Sequence, residues 1–320
     1  MAAKRDRLIA PLKKQQKLFK PSWCIDGMTA WQIKSRWSNV QVSGAHNTSM
    51  YETHFFLSTD STNRLAFEFA EKGAGHGTAV IAESQVNGRG RLGRIWHSPP
   101  KKGLYCSIII RPNLALHEYP KITLAAGLAV SNALDRICAC ASLVKWPNDI
   151  YLRERKVGGI LTESSLNRLG AGGHFAVIGI GLNINSERSD FPVEILHKAT
   201  SVLLETGRQN DLHEVFQAIR TELLQEITVF EKNGFDDILR RWQEKDALKD
   251  RYVRWVTHAG MLVYGRSKGP DATGRLIIQD DSGQYHEVLS GDVLLAGCGE
   301  EAEKTEDLDC KVGAPLQPRS

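Results

Sequence analysis

The sequence predicts an α+β protein in which a mixed β-sheet carries helices on one face and a small β barrel follows. Short apolar, β-branched runs alternate with helical patterns as far as residue 184. Two amphipathic helices then follow each other from Asp211 to Leu248. From Tyr252 to Leu295 short strands alternate with turn residues, which is typical of a small barrel and places the boundary between the two parts near Lys249.

Strands are predicted where β-branched and aromatic residues cluster between turn residues. They are His54–Leu57, Thr78–Glu83, Leu104–Ile110, Leu143–Trp146, Ile150–Leu152, Val157–Ser164 and Ala176–Ile184. Helices are predicted where apolar residues recur at helical spacing, and the stretch from Asp60 to Thr62 supplies N-cap oxygens for one of them. They are Met28–Trp37, Asn63–Lys72, Ile122–Cys138, Asp211–Gly234 and Phe235–Leu248.

The length of 320 residues allows one large and one small domain. We predict a basic tail over 1–22, a main domain over 23–249, the barrel over 250–298 and an acidic tail over 299–320. Residues 1–22 hold seven basic side chains and one acid, so they carry +6 and leave −2 for the rest of a chain whose net charge is +4. The folded body is therefore not a basic nucleic-acid platform. The basic tail is interpreted as solvated, with a nucleic-acid or organelle-targeting role as the alternative.

The cysteines lie at positions 24, 106, 138, 140, 298 and 310, with no CxxC pair and no zinc-like spacing. This pattern predicts a reducing cytoplasm without a disulfide framework. No apolar run is long enough to span a membrane, and the N-terminus lacks the layout of a secretory signal. We therefore expect a cytoplasmic protein without membrane association.

A loop in which arginines alternate with glycines is the strongest chemical signal, residues 85–94 (QVNGRGRLGR). Glycine frees the backbone to curl its N–H groups around an anion, and arginine forks two bonds to a phosphate or carboxylate. A loop of this length in a compact domain is typical of a lid, which would become ordered over an anionic ligand. A solvated surface loop is the alternative.

Two lysines bracket a tight turn in residues 145–159 (KWPNDIYLRERKVGG). Lys145 and Lys156 would face one pocket across a hairpin, where point charges neutralise a reacting phosphate. Gly158 and Gly159 would let a ligand approach the backbone. A purely structural turn is the alternative.

Two further stretches offer a flat or polar surface to a ligand. On a strand, Gly179, Gly181 and Asn183 share one face, and the glycines leave room for a ring there. Asp60-Ser61-Thr62-Asn63 would present hydroxyls and helix-start N–H groups. A packing glycine and a plain N-cap are the alternatives.

The sequence has no dinucleotide or P-loop fingerprint, no GxSxG elbow, no HExxH motif and no histidine pair with metal-ligand spacing. Because these motifs are absent, the remaining candidate is an anion-binding site rich in Arg, Lys and Gly. Such a site is suited to catalysis by positioning and charge neutralisation, as in phosphoryl or nucleotidyl transfer.

In this order the four stretches resemble those of the biotin–protein ligases, over roughly residues 50–205. The resemblance implies the fold shared with class II aminoacyl-tRNA synthetases and a C-terminal SH3-like barrel. It implies that biotin and ATP form biotinyl-AMP, with Mg²⁺, and that biotin then passes to a lysine of a biotin carboxyl carrier domain. The sequence does not fix the oligomeric state, and a homodimer stays open.

The resemblance also implies roles for residues of this chain. The implied catalytic residues are Lys156, Arg91, Lys145 and Asp149. The implied biotin contacts are Ser61, Thr62, Asn63, Gln85, Arg89, Arg91, Lys156, Gly158, Gly179 and Gly181. The implied nucleotide contacts are Gly88, Gly90, Arg91, Gly93, Arg94, Trp96, Asn148, Lys156 and Asn183, with Trp96 as the closing aromatic of the lid. Asp149 would either orient the acceptor amine, accept its proton or organise the metal.

Two departures from the family pattern are visible. Leu92 stands where some members carry another arginine, which affects an auxiliary contact. Fewer than sixty residues precede the Asp60–Asn63 stretch, much of them in the basic tail and without a pair of short helices, so we expect the ligase without a DNA-binding module and no DNA binding.

Three other functions are alternatives to biotin ligation. They are a lipoate or octanoate ligase on the same fold, a DNA-binding regulator that uses biotinyl-AMP as corepressor, and a non-catalytic binder of an acyl-adenylate. The Arg/Gly loop and the KWPND turn favour biotin. The missing helix-turn-helix and the slightly acidic body disfavour DNA binding, and the presence of both Lys145 and Lys156 favours catalysis.

Overall fold

The computed structural model describes residues 51–165, 173–256, 262–289, 291 and 293–296. The tails over 1–22 and 299–320, the helix predicted over Met28–Trp37, and Cys24, Cys298 and Cys310 lie outside these ranges. No helix within the described ranges has the length and apolar character that crossing a membrane requires.

A seven-stranded mixed sheet forms the centre of the protein. Its strands are β1 (Thr53–Phe56), β2 (Ala79–Ala82), β3 (Gly103–Ile110), β4 (Leu143–Lys145), β5 (Asp149–Leu152), β6 (Arg155–Ser164) and β7 (Ala176–Asn183). Their order is β1-β2-β3-β7-β6-β5-β4, with β1 and β2 parallel and all other pairs antiparallel. The mixed sheet is thus confirmed, and the predicted strands differ from the observed ones by at most two residues at an end.

Helices cover both faces of this sheet. They are α1 (Thr62–Glu71), α2 (Ile122–Cys138), α3 (Val202–Thr206), α4 (Leu212–Asn233) and α5 (Asp236–Glu244). Alternate residues of each strand point to opposite faces. Ile81 and Ile108 belong to the main core with α2 and α4, whereas Val80 and Ile109 pack with α1 on the other face. The helix layer predicted on one face is present, and α1 adds a smaller core behind the sheet.

The last helix is shorter than predicted because its end joins the sheet. The pattern predicts a helix up to Leu248, but α5 ends at Glu244. Val144 of β4 donates its N–H to Lys245 O at 3.0 Å, and Ala247 donates to Val144 O at 2.8 Å. These bonds satisfy the edge of β4, which would otherwise expose unpaired backbone groups.

A five-stranded antiparallel sheet follows, consistent with the SH3-like barrel. Its strands are β8 (Tyr252–Val256), β9 (Leu262–Pro270), β10 (Leu276–Gln279), β11 (Tyr285–Val288) and β12 (Val293–Leu295), in the order β11-β10-β9-β8-β12. Val253 and Leu276 are fully buried and share the core of the large sheet. Trp146 donates its indole N–H to Gly274 O at 3.0 Å across the junction.

Candidate active site

A cavity of about 710 Å³ is lined by residues of strands β5, β6 and β7, the start of α1, the Arg/Gly loop and strand β12. All of the predicted site residues line it except Gly88, Gly93 and Gly158. Those that line it are Ser61, Thr62, Asn63, Gln85, Arg89, Gly90, Arg91, Arg94, Trp96, Lys145, Asn148, Asp149, Lys156, Gly179, Gly181 and Asn183. The four sequence stretches therefore meet in one place.

The start of helix α1 forms a buried polar end of the cavity. Ser61 occupies the N-cap position with extended backbone, but its side chain makes no capping hydrogen bond. Gln85 caps the helix instead, since its Oε1 accepts from the Thr62 N–H at 2.9 Å and from the Thr62 hydroxyl at 3.2 Å. The predicted side-chain cap within residues 60–62 is therefore wrong, and the capping group comes from the loop.

The side chain of Asn63 contacts residues of three neighbouring strands. Its Nδ2 donates to Leu161 O at 3.1 Å and to Glu163 Oε2 at 2.7 Å, both on β6. On β3, Ser107 donates its hydroxyl to Asn63 Oδ1 at 2.7 Å. A Cβ atom on Gly179 of β7 would overlap this amide oxygen, so that glycine makes room for Asn63.

The Arg/Gly loop folds back on itself over the cavity. Gly90 donates its N–H to Arg94 O and Trp96 donates to Gly88 O, both at 2.8 Å. Leu92 and Gly93 turn the tip with φ of 56° and 73°, the left-handed region that glycine adopts at little cost. Gly88 and Gly93 thus shape the loop, whereas Arg89, Arg91 and Arg94 line the cavity.

The indole of Trp96 lines the cavity and lies against Gly181 of β7. A Cβ atom on Gly181 would lie 2.6 Å from Cε2 and Nε1 of the Trp96 indole. Lys156 Nζ lies 5.7 Å from the indole centroid, within range of a cation–π contact. In this structure the Trp96 indole occupies the space that the missing side chain of Gly181 leaves.

Cationic side chains dominate the cavity. Among the described lining residues, six are arginine or lysine and two carry carboxylates, Asp149 and Asp190. Lys156 Nζ pairs with Asp149 Oδ1 at 2.6 Å, and Asp190 lies 3.3 Å from Lys102 outside the lining. The arrangement leaves a net positive field suited to an anionic ligand.

Burial disfavours charge on two of these cations. Arg91 donates to Asn148 Oδ1 at 3.2 Å, and burial lowers the pKa of its guanidinium, partly offset by Asp149. Burial likewise lowers the pKa of Lys145, with Asp149 opposing and Lys156 adding to the shift. Lys145 Nζ donates to the Tyr151 hydroxyl at 3.2 Å. An anionic ligand would stabilise the charged forms of Arg91 and Lys145 and so oppose the effect of burial on their pKa values.

Gly158 and Asn183, both predicted to contact a ligand, make contacts with the protein itself. A Cβ atom on Gly158 would overlap Leu182 Cδ2, so Gly158 faces the core, and its neighbour Gly159 lines the cavity instead. The alternation of a strand explains this correction. Asn183 lines the cavity, but its amide donates to Thr200 O at 3.1 Å and braces the following segment.

Sequence reasoning missed several residues of the site. Ser107 is fully buried behind Thr62 and Asn63, and its position inside the apolar run of β3 was the available signal. Tyr151 and Lys198 line the cavity without belonging to a recognised motif, and Leu294 reaches it from β12. Only the docking of the second sheet brings Leu294 there, and no local pattern encodes it.

Comparisons with known proteins agree on one kind of enzyme. The model of the biotin/lipoate A/B protein ligase family matches residues 55–183. The chain is 33% identical over 235 residues to the bifunctional ligase/repressor BirA of Bacillus subtilis, covering 73% of this chain and 71% of that protein. It is 31% identical over 231 residues to a biotin–[acetyl-CoA-carboxylase] ligase of Paracoccus denitrificans, covering 71% of this chain and 93% of that protein.

A solved structure is similar over most of the described fold. The biotin protein ligase from Aquifex aeolicus in complex with biotin and ATP matches with a TM-score of 0.65 at 30% identity. The match covers 76% of this chain and 98% of that chain.

Proposed function

The chain belongs to the biotin–protein ligase family, and from that premise we propose that it joins biotin to AMP and transfers the biotin to a lysine of a carrier protein. One observation supports this function above all. A single cavity has a buried polar end at Thr62 and Gln85 and a strongly cationic remainder. Such a cavity suits an uncharged polar ring joined to an anionic chain and a nucleotide.

We assign the polar end to the ring of biotin. Ser61, Thr62, Gln85 and Arg89 would contact it, and the unused Ser61 hydroxyl is free of a capping role. Asn63 and Gly179 support this end from behind. Gly181 and Trp96 would enclose the middle of the ligand.

The cationic part would hold the carboxylate and the phosphates. The biotin carboxylate attacks the α-phosphorus of ATP, the bond to the β-phosphate oxygen breaks, and pyrophosphate leaves. Two anions approach in this step, so preformed cations stabilise the transition state most. We place Lys156 and Arg91 at the carboxylate–phosphate junction, and Lys145, Arg94 and Asn148 along the phosphates.

The cavity offers magnesium few protein ligands. In the described ranges no group of three or more His, Cys, Asp or Glu side chains could hold a metal. Magnesium needs only one or two carboxylates beside substrate phosphates and water, and Asp149 offers one. When bound there, the ion would neutralise phosphate charge.

The second step requires a neutral lysine amine and a dry site. The mixed anhydride of biotin and AMP hydrolyses readily, and the loop carrying Trp96 would exclude water from it. Because Asp149 pairs with Lys156 at 2.6 Å, we propose that it positions this lysine in the first step and orients the acceptor amine in the second.

Several finer features are part of the proposal. The acceptor is a biotin carboxyl carrier domain, and the domain limits are 23–249 and 250–298. A cytoplasmic location, a homodimer and the lack of DNA binding stay predictions. The described cysteines, Cys106, Cys138 and Cys140, are free thiols, and the reducing compartment stays a prediction as well.

Exchange of labelled pyrophosphate into ATP tests the first step. We expect exchange with biotin and none with lipoate or octanoate at the same concentration. Exchange driven by lipoate or octanoate would overturn the substrate, and no exchange with any acid would overturn the reaction.

A further inference from the structure

A chain of hydrogen bonds runs behind the polar end of the cavity. It starts at Glu163 on β6, passes through Asn63 and reaches Ser107 on β3. From there the Ser107 and Thr62 hydroxyl oxygens lie 2.9 Å apart. Ser107 is fully buried and does not line the cavity, so any effect it has on a ligand acts through its two partners.

The amide of Asn63 has a fixed orientation. Its Nδ2 faces Leu161 O and Glu163 Oε2, which only accept hydrogen bonds in this setting. Its Oδ1 therefore faces Ser107 as an acceptor. The single Ser107 proton goes to Asn63, leaving the Ser107 oxygen as an acceptor towards Thr62.

The amide of Gln85 is oriented in the same way. Its Oε1 accepts from the Thr62 backbone N–H, and its Nε2 donates to the Ser98 hydroxyl at 3.0 Å. Thr62 thus has two inward acceptors for its one hydroxyl proton, Ser107 at 2.9 Å and Gln85 at 3.2 Å. The distance to Ser107 lies within the usual range of an O–H···O hydrogen bond and the distance to Gln85 lies beyond it, so the Thr62 proton points to Ser107.

We propose that Ser107 is a positioning residue that keeps the Thr62 oxygen a hydrogen-bond acceptor for a ring N–H of the substrate acid. This inference rests on the proposed function. An acceptor at Thr62 favours a ring whose edge carries N–H donors, as a cyclic urea does, over a ring without donors, such as a dithiolane. A mismatched ring leaves a buried polar atom unpaired, which costs more than a missing contact.

The test is steady-state pyrophosphate exchange by the full chain, measured for Ser107→Ala, Ser107→Cys and wild type. Ser107→Ala removes the donor to Asn63 and one inner partner of Thr62. We expect the KM for biotin to rise about tenfold, the scale of one hydrogen bond, while the KM for ATP changes less than about twofold. The KM for ATP comes from the same preparation and does not depend on the folded fraction.

Ser107→Cys separates hydrogen bonding from shape. Cysteine fills the space of serine but donates weakly. We expect it to raise the KM for biotin as alanine does. A wild-type KM in the cysteine variant would mean that packing alone matters and would overturn the proposal.

The matched control is Ser131→Ala. Ser131 is equally buried and bonds to Ser142 at 2.7 Å, but it lies on α2 and outside the cavity lining. We expect it to leave both KM values unchanged. A rise in the KM for biotin in this variant as large as in Ser107→Ala would overturn the proposal.

Desthiobiotin locates the effect on the ligand. It keeps both ring N–H groups and lacks the thioether ring, so its KM should rise by the same factor in Ser107→Ala. A rise for biotin alone would place the effect at the thioether ring and overturn the proposal. Wild-type enzyme without biotin-dependent exchange would instead overturn the proposed function.

Discussion

The indole of Trp96 rests on Gly181, and the two residues fit only because the glycine has no side chain. An added Cβ would lie 2.6 Å from the indole, closer than packed atoms allow. The indole Nε1 is buried and has no hydrogen-bond partner within the described residues. The Trp96 indole therefore holds the Arg/Gly loop against the sheet by packing and not by a hydrogen bond. Such a contact suits a loop that must open to admit its ligand.

Gly181→Ala should displace Trp96 and weaken closure of the loop. We expect release of biotinyl-AMP into solution, measured by chromatography under single-turnover conditions, to rise at least about tenfold. Gly127→Ala is the control, because a Cβ there has its nearest neighbour at 3.7 Å, at Trp242. Alanine also favours the interior of α2, so this variant should unfold at a slightly higher temperature with normal release. Equal release by wild type and Gly181→Ala would contradict the seating role.

Arg91→Gly should also let biotinyl-AMP escape from the site, because it removes a hydrogen bond that holds the loop. Arg91 joins the loop to Asn148 in the turn between β4 and β5, and glycine removes this tie as well as a cation. We expect escaped biotinyl-AMP to label lysines of bystander proteins, detected by a streptavidin blot. Labelling confined to one acceptor lysine, at wild-type biotin affinity, would refute the lid assignment.

Lys156→Ala should slow adenylate formation more than it weakens biotin binding. The ammonium is the cation paired with Asp149 and lies beside Trp96. Loss of one charged transition-state contact costs roughly 100- to 1000-fold in rate. Rapid-quench measurement of biotinyl-AMP formation at saturating substrates checks this. Lys232→Ala, an exposed lysine at the end of α4, is the control, and an unchanged rate in Lys156→Ala would remove this residue from the reaction.

Asp246→Asn should stabilise the protein at neutral and basic pH. Burial raises the pKa of this carboxyl to about 7, and its Oδ2 has no partner within the described residues. A raised folded pKa means that the unfolded chain loses its proton first, so stability falls as pH rises from about 4 to about 7. Asparagine cannot ionise and should remove that fall.

Urea unfolding between pH 4 and 8 measures the effect. The wild type should lose roughly 2–4 kcal/mol of unfolding free energy across this range relative to Asp246→Asn. The exposed Asp236 on α5 provides the control substitution, Asp236→Asn, which should follow the wild-type curve. Parallel curves for wild type and Asp246→Asn would contradict the assignment.

The strands, the helices and most of the site follow from local patterns. Arg89, Arg91 and Arg94 stand out because their spacing with glycine has a direct meaning for anion binding. Gly158 was misassigned because two adjacent glycines on a strand point to opposite faces, and sequence alone does not tell which face meets the cavity.

Other features depend on packing between distant segments. Ser107 meets Asn63 only when β3 and α1 pack together, forty-four residues apart in sequence. Gln85 replaces the expected N-cap because the loop approaches α1 from the side. Leu294 reaches the cavity through the docking of the second sheet. None of these contacts has a periodic or compositional signature.

Transfer of biotin to a carrier domain is the direct test of ligase activity. Purified protein, ATP and biotin are incubated with a biotin carboxyl carrier domain and with the same domain carrying arginine at its acceptor lysine, and both are analysed by intact-mass spectrometry. We expect one biotin on the first domain, none on the second, and none when ATP or biotin is withheld. A carrier domain that stays unmodified with both substrates present, or is modified equally without its acceptor lysine, would contradict this expectation.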